Sequence, residues 1–287
     1  MSFLPDRVFE HLREVADLPD LSGTRYTLVR ELGRGGIGVV YEVFDQQLNR
    51  RVAMKVLAAP DQSTDRLLDE ARVVAQLEHP GVVPLFDAGR LPDDRVYYTM
   101  KLVEGARLDD YAQGDASLSD RLRIFQKICD AVAFAHSRGV LHQDLKPANI
   151  MVGSFGEVVV MDWGIGVAGT PRYRAPEQSA GVGEPVGPPA DIYSLGAVLR
   201  SLLPSTAPLP LGAVVQKAMG QDPAQRYPDA VSLNLEIGRF LDGLAVEAYH
   251  ESPLERATRF YRRNQPLLVL LLIYVVVRFV LFFWSRL

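Results

Sequence analysis

Four residues of one short stretch, Asp144, Lys146, Asn149 and Asp162, bring together a carboxylate, an ammonium, a carboxamide and a second carboxylate. The run His142 to Gly164 reads HQDLKPANIMVGSFGEVVVMDWG. Pro147 keeps the segment around Lys146 from continuing as helix. Ile150 to Val152, a turn carrying Gly153 and Gly156, and the apolar run Val158 to Met161 then have the pattern of a β-hairpin, which returns Asp162 to the side of Asn149. A carboxylate and a carboxamide converging there make the hard, oxygen-rich site that Mg²⁺ takes when it also holds phosphates. Asp144 is then a candidate base, and Lys146 a point charge for a phosphoryl group. Either motif alone reads better as a surface turn; their hairpin spacing, downstream of a Gly-rich loop, argues for both together.

These residues need a scaffold that brings phosphate to them. Tyr26 to Leu32 alternates as a strand, Gly33-Arg34-Gly35-Gly36-Ile37-Gly38 interrupts it, and Val39 to Phe44 resumes. Between two strands, the glycines let backbone N–H groups approach phosphate oxygens without obstruction by Cβ. A dinucleotide-binding turn needs a helix directly after the glycines, whereas β-branched and aromatic residues follow here. Arg51 to Leu57 is an apolar strand with one charge, Lys55, which requires a counter-charge. The helical pattern from Asp65 to Leu77 offers Asp69 and Glu70, and His79-Pro80 ends it. Strands are expected at Val82–Phe86 and Arg95–Val103. A helix is expected from Leu118 to His136, with Leu122, Phe125, Cys129, Val132 and His136 recurring at helical spacing and Ser117 or Ser119 as N-cap.

The motifs H-x-D-L-K-x-x-N, D-x-G, G-x-G-x-x-G-x-V and V-A-M-K, in this order, resemble the bacterial eukaryotic-type (Hanks-type) serine/threonine protein kinases with a C-terminal transmembrane segment. The resemblance covers roughly Gly23 to Gly243. It implies an α+β, bilobal protein-kinase fold: a small β-rich N-lobe and a larger helical C-lobe. It also implies ATP and Mg²⁺ as cofactors and a protein Ser/Thr hydroxyl as acceptor. Nucleotide contacts then fall to Gly33, Gly35, Gly36, Gly38, Val40, Ala53, Lys55, Met100 and Val103. Catalytic roles fall to Asp144, Lys146, Lys55 and Glu70, with Glu70 rather than Asp69 pairing with Lys55, and metal ligation to Asn149 and Asp162. By the same resemblance His142 is structural, Asp191 braces the catalytic loop, and Arg226 pairs with Glu177.

Two departures from the family pattern point one way. Gln143 replaces the arginine that pairs with a phosphorylated activation loop, and only Ile165 to Arg174 separate Gly164 from Ala175-Pro176-Glu177. Thr170 matches the family's substrate-platform threonine. Control by loop phosphorylation is therefore not expected. Trp163 for the usual Phe is a milder change. The short loop raises a rival reading, a membrane-tethered pseudokinase scaffold, which the full set of catalytic residues opposes. A small-molecule kinase fits less well with Thr170, A-P-E and Arg226.

Composition narrows the classes further. A net charge of −4 leaves no basic footprint for nucleic acid. One cysteine, Cys129, excludes an internal disulfide framework and sits on a core pattern, and five scattered histidines argue against a zinc cluster. Residues 2–18 have the pattern of a short amphipathic helix without the apolar run of a secretory signal. Pro266 to Trp284 has the length and apolarity to span a bilayer, preceded by Arg256, Arg259, Arg262 and Arg263. The positive-inside rule then keeps the kinase region in the cytoplasm, anchored to the cytoplasmic membrane as a single-pass protein with the lipid bilayer as partner. Arg278 inside the span leaves self-association through this helix open. The expected organisation is an extension at 1–22, an N-lobe at 23–104, a C-lobe at 105–244, a basic linker at 245–265 and a span at 266–284.

Overall fold

Period-two burial organises the first half of the chain. The computed structural model describes residues 18–35, 38–57, 68, 71–163, 171–179 and 187–284. The expected N-terminal helix, Gly36, Asp69, Glu70, Gly164 and Thr170 lie outside the described residues. Five strands, β1 (Tyr26–Gly35), β2 (Gly38–Asp45), β3 (Arg50–Leu57), β4 (Leu85–Arg90) and β5 (Val96–Lys101), form an antiparallel sheet in the order β1-β2-β3-β5-β4. The inner strand β3 is buried from Val52 to Leu57 because apolar clusters cover both of its faces. Val52, Met54 and Val56 pack with Tyr26, Tyr41 and Tyr97 on one side. Ala53 and Leu57 pack with Val83, Tyr98 and Met100 on the other. By parity Lys55 falls on this second face.

The expected strand at Val82–Phe86 is displaced: β4 begins at Leu85, and Val82 instead forms an isolated parallel bridge to Val160. Pro84, which has no N–H to give a ladder, separates the two pairings and accepts from the Lys101 amide at 3.1 Å. A second sheet joins β6 (Ala106–Arg107), β7 (Ile150–Val152) and β8 (Val158–Val160), with Ile150 opposite Val160.

The other core is helical. Helix α1 (Leu108–Gln113) is short and was not anticipated from its sequence. Helix α2 (Leu118–Ser137) starts where expected, and its N-cap is Ser117, whose hydroxyl accepts from the Asp120 amide at 3.2 Å. Its stripe of Leu122, Phe125, Ile128, Cys129 and Val132 is fully buried. At about 1.5–3 kcal/mol for each large apolar side chain, this burial outweighs any propensity difference along the helix. The Cys129 thiol is in the core as expected, and burial pushes its pKa well above the ordinary value.

Next come α3 (Pro176–Ser179), α4 (Pro188–Leu202), α5 (Leu209–Ala218) and α6 (Ala230–Leu241). Helix α5 begins at Leu209, with Pro210 tolerated in its first turn. Gly196 lets α4 and α5 touch: a Cβ there would stand 2.8 Å from the Ala218 Cβ. The α+β expectation is met, with a sheet-rich first lobe and a helical second one.

Helix α7 (Pro253–Trp284) covers the second part of the expected linker as well as the expected span. Ser252 and Glu255 start it with reciprocal capping bonds, Glu255 N to Ser252 Oγ at 3.3 Å and Ser252 N to Glu255 Oε2 at 2.7 Å. Pro266 lies inside the helix rather than at its start. Over Arg263–Phe282 the mean hydropathy is 2.4 and none of the segment is buried inside the fold, so α7 is long and apolar enough to cross a membrane. Within it, the Arg278 guanidinium lies 6.0 Å from the Tyr274 ring centroid.

Candidate active site

The β7–β8 hairpin closes as its sequence implies. The Met161 amide donates to the Asn149 carbonyl at 2.8 Å, so Asp162 follows directly beside Asn149. Asp162 itself has φ +57°, a left-handed conformation unusual for a residue with a side chain. Its carboxylate Oδ1 accepts from Lys55 Nζ at 2.7 Å and from the Tyr98 hydroxyl at 3.3 Å. Burial would raise the Asp162 pKa, but the Lys55 ammonium overcomes this and holds it below the ordinary value. Lys55 thus finds its counter-charge 107 residues away. The Glu70 expected in that role is outside the described residues.

The catalytic loop hangs from one buried carboxylate. Asp191 accepts from the His142 amide at 2.8 Å, from the Gln143 amide at 2.9 Å and from His136 Nε2 at 2.8 Å. Burial opposes ionisation of Asp191, yet the hydrogen bond from His136 together with that from the His142 amide keeps its pKa below the ordinary value. Asp191 was expected to brace the loop; His136 was not expected to share the work. The signal was present, since a polar ring on the apolar stripe of α2 needs a partner. Gln143 has φ +65°, a second left-handed residue, pinned by that amide bond.

His142 is structural, as expected. Burial lowers its pKa, and the neutral ring donates from Nε2 to the Met161 carbonyl at 2.9 Å and accepts at Nδ1 from the Asp144 amide at 3.3 Å. Its ring packs 4.8 Å from that of Trp163. The larger Trp163 fills a fully buried site and donates from Nε1 to the Val160 carbonyl at 3.0 Å.

Asp144 is held from two sides. Lys146 Nζ lies 2.6 Å from its Oδ2, and Asn149 Nδ2 donates to its carbonyl at 2.9 Å and to Oδ2 at 3.4 Å. The Asn149 amide nitrogen is thereby committed to Asp144. Among the described residues, neither Asn149 Oδ1 nor Asp162 Oδ2 accepts a hydrogen bond.

At the other end of the cleft, Val40, Ala53, Met100 and Val103 belong to one apolar cluster with Leu32, Leu102 and Met161. The last three were missed because nothing in their local pattern marks them. A Cβ at Gly33 or Gly35 would make only ordinary van der Waals contact, with Arg107 Nη2 at 3.8 Å and the Gly38 carbonyl at 4.0 Å respectively. Gly38 is required for a different reason: a Cβ there would meet the Val56 carbonyl at 2.2 Å.

Below the site, Arg226 is fully buried and uses all five N–H donors. Two go to Glu177, at 2.6 and 2.8 Å. The others go to the carbonyls of Gly220 at 2.8 Å, Pro189 at 2.8 Å and Gln221 at 3.4 Å. Gln178, which sequence reasoning passed over, ties the A-P-E segment to the catalytic loop: its Nε2 donates to the Gln143 carbonyl at 3.2 Å and its Oε1 accepts from the Ala175 amide at 2.9 Å. Glu177→Gln is expected to cost about 3 kcal/mol in urea unfolding, because a buried guanidinium loses its charge partner. An unchanged midpoint would show that the three carbonyls alone hold Arg226.

A five-stranded sheet over a helical lobe, with a lysine, two aspartates and an asparagine converging between them, defines a protein kinase domain. The sequence profile of the protein kinase domain matches residues 26–249, and the chain belongs to that family. Among curated proteins, the serine/threonine-protein kinases PknD of Chlamydia caviae and Chlamydia pneumoniae are 33% and 32% identical to it, over 81% and 85% of this chain. PknD of Protochlamydia amoebophila is 33% identical over 71% of it. The chain spans only 30%, 34% and 26% of those three relatives, about a third of their length.

Proposed function

We propose that this chain is a membrane-anchored serine/threonine protein kinase that transfers the γ-phosphoryl group of ATP to a protein hydroxyl. The observation that carries the reading is the convergence of Lys55, Asp144, Lys146, Asn149 and Asp162 in one hydrogen-bonded arrangement.

The backbone of the Gly-rich turn covers the phosphates, and without a Cβ at Gly33 and Gly35 its N–H groups can approach them closely. Lys55 contacts the α and β groups, with Glu70 as its partner in the loaded enzyme. The apolar cluster of Val40, Ala53, Met100 and Val103 receives the adenine. Asp144 orients the acceptor hydroxyl and takes its proton, while Lys146 steadies the γ-phosphoryl. Asn149 Oδ1 and Asp162 Oδ2 are hard oxygen donors, which suit Mg²⁺. When bound, the metal neutralises charge on the phosphates.

Activity without loop phosphorylation is part of the reading. Gln143 offers no charge to a phosphate, and the Gln178 contact supplies an uncharged tie between the loops. The anchor is supported by the apolar stretch of α7 and by Arg256 and Arg263 before it. A pseudokinase scaffold is disfavoured because Lys55, Asp144, Lys146, Asn149 and Asp162 are all present and joined by hydrogen bonds.

The test uses the full chain, recovered from the membrane fraction and placed in lipid nanodiscs with Mg²⁺ and γ-labelled ATP. Label on Ser or Thr of the chain or of a protein substrate is expected, and resistance to alkaline extraction of the membrane. Nucleotide binding without transfer would favour the scaffold; extraction at alkaline pH would remove the anchor.

A further inference from the structure

Antiparallel pairing of β3 with β5 sets Lys55 directly opposite Tyr98, so both side chains stand on the cleft face of the sheet. Both donate to the same atom, Asp162 Oδ1, at 2.7 and 3.3 Å. Tyr98 is only 2% exposed and packs among Ala53, Val83 and Met100. A phenylalanine would fill that apolar space without the cost of burying a hydroxyl, so packing does not account for the oxygen. The phenolic O–H is the donor in this contact, since the carboxylate oxygen can only accept. Asp162 also sits at a strained backbone position, where side-chain contacts decide which way its carboxylate points.

We propose that Tyr98 is a positioning residue for the metal-binding carboxylate: its hydroxyl keeps Asp162 Oδ2 turned to the metal when Lys55 is drawn onto the nucleotide phosphates. This rests on the reading of Asp162 as a metal ligand. Lys55 has two tasks, Asp162 and the phosphates, and its long stem lets it leave one for the other. Tyr98 is a neutral donor on a rigid ring locked in the core, with no phosphate to attract it. A hydrogen-bonded partner behind a ligating carboxylate fixes its orientation and raises metal affinity.

The experiment compares wild type, Tyr98→Phe and Asp162→Asn as full chains in nanodiscs. Mn²⁺ binding is followed by electron paramagnetic resonance in the presence of ADP, ADP binding is measured without metal, and the metal dependence of transfer is recorded. Tyr98→Phe is expected to weaken Mn²⁺ binding about tenfold and to raise the metal requirement for transfer in step, the lower range for loss of such a partner. Its metal-free ADP affinity should match wild type. If Asp162→Asn loses Mn²⁺ while Tyr98→Phe binds it as wild type does, the positioning role is overturned and the metal-ligand reading stands. If Asp162→Asn still binds Mn²⁺ as wild type does, the metal-ligand reading fails and this proposal with it. A Tyr98→Phe variant that loses metal-free ADP binding and thermal stability, with normal Mn²⁺ affinity in the folded fraction, reveals a packing role only and also overturns it.

Discussion

Replacing Asp144 by Asn is expected to lower phosphoryl transfer about 10³-fold while nucleotide binding stays close to wild type. The amide keeps the size of the carboxylate and can still accept from Lys146 and Asn149, which lie 2.6 and 3.4 Å from Oδ2. The loop geometry should therefore survive. What disappears is the basic oxygen proposed to receive the hydroxyl proton, together with the negative charge that Lys146 now faces. The apolar cluster of Ala53 and Met100 and the Gly-rich turn belong to the other lobe and are untouched. Single-turnover transfer with labelled ATP, beside equilibrium binding of ADP, separates the two effects. Full transfer by the variant would remove Asp144 from the role of base.

Removing the Asp191 carboxylate should weaken the fold and the site together. Asp191→Ala strips the acceptor from the His142 and Gln143 amides and from the His136 ring at once. Each buried donor left unmade costs about 1–3 kcal/mol, and part of that is relieved by local rearrangement, so a loss of about 3 kcal/mol is expected. Gln143, held at φ +65°, would be the first residue to relax, carrying Asp144 with it. A shift of about 1 Å at the base is enough to lower turnover about 10²-fold.

The effect has a defined pH dependence. The folded-state pKa of Asp191 lies below its unfolded value, so its ionised form stabilises the fold above the unfolded pKa. That contribution is lost as the pH falls through the folded value. The stability gap between wild type and Asp191→Ala should therefore be widest near neutrality and should shrink below about pH 4. Urea unfolding at pH 7 and pH 3.5 checks this; a gap that stays constant over that range would mean that the carboxylate charge contributes nothing.

The features legible in the sequence share a cause, which is that their geometry is local. Asp144, Asn149 and Asp162 are joined by a short loop and a hairpin, and a hairpin's register follows from its turn and its alternation. The stripe on α2 and the buried run of β3 are equally periodic, which is why their ends came out nearly right. Local pattern was less informative where a proline interrupts or starts an element. The strand expected at Val82 moved past Pro84 to Leu85, and α5 began at Leu209, close to two prolines. Pro266, where the apolar run begins, lies inside one continuous helix, because a proline is tolerated there when the rest of the stretch continues it.

By itself, then, the sequence determined which side chains could do chemistry, the sheet-then-helix order of the two lobes, and the apolar stretch at the end. Only the tertiary structure decided what those side chains touch. Lys55 meets Asp162 across 107 residues, Tyr98 meets it across 64 and His136 reaches Asp191 across 55. The physical reason is that a buried charge must find a counter-charge or a hydrogen-bond partner. Composition and spacing state that need, but which partner answers it depends on how strands and helices from distant parts of the chain pack.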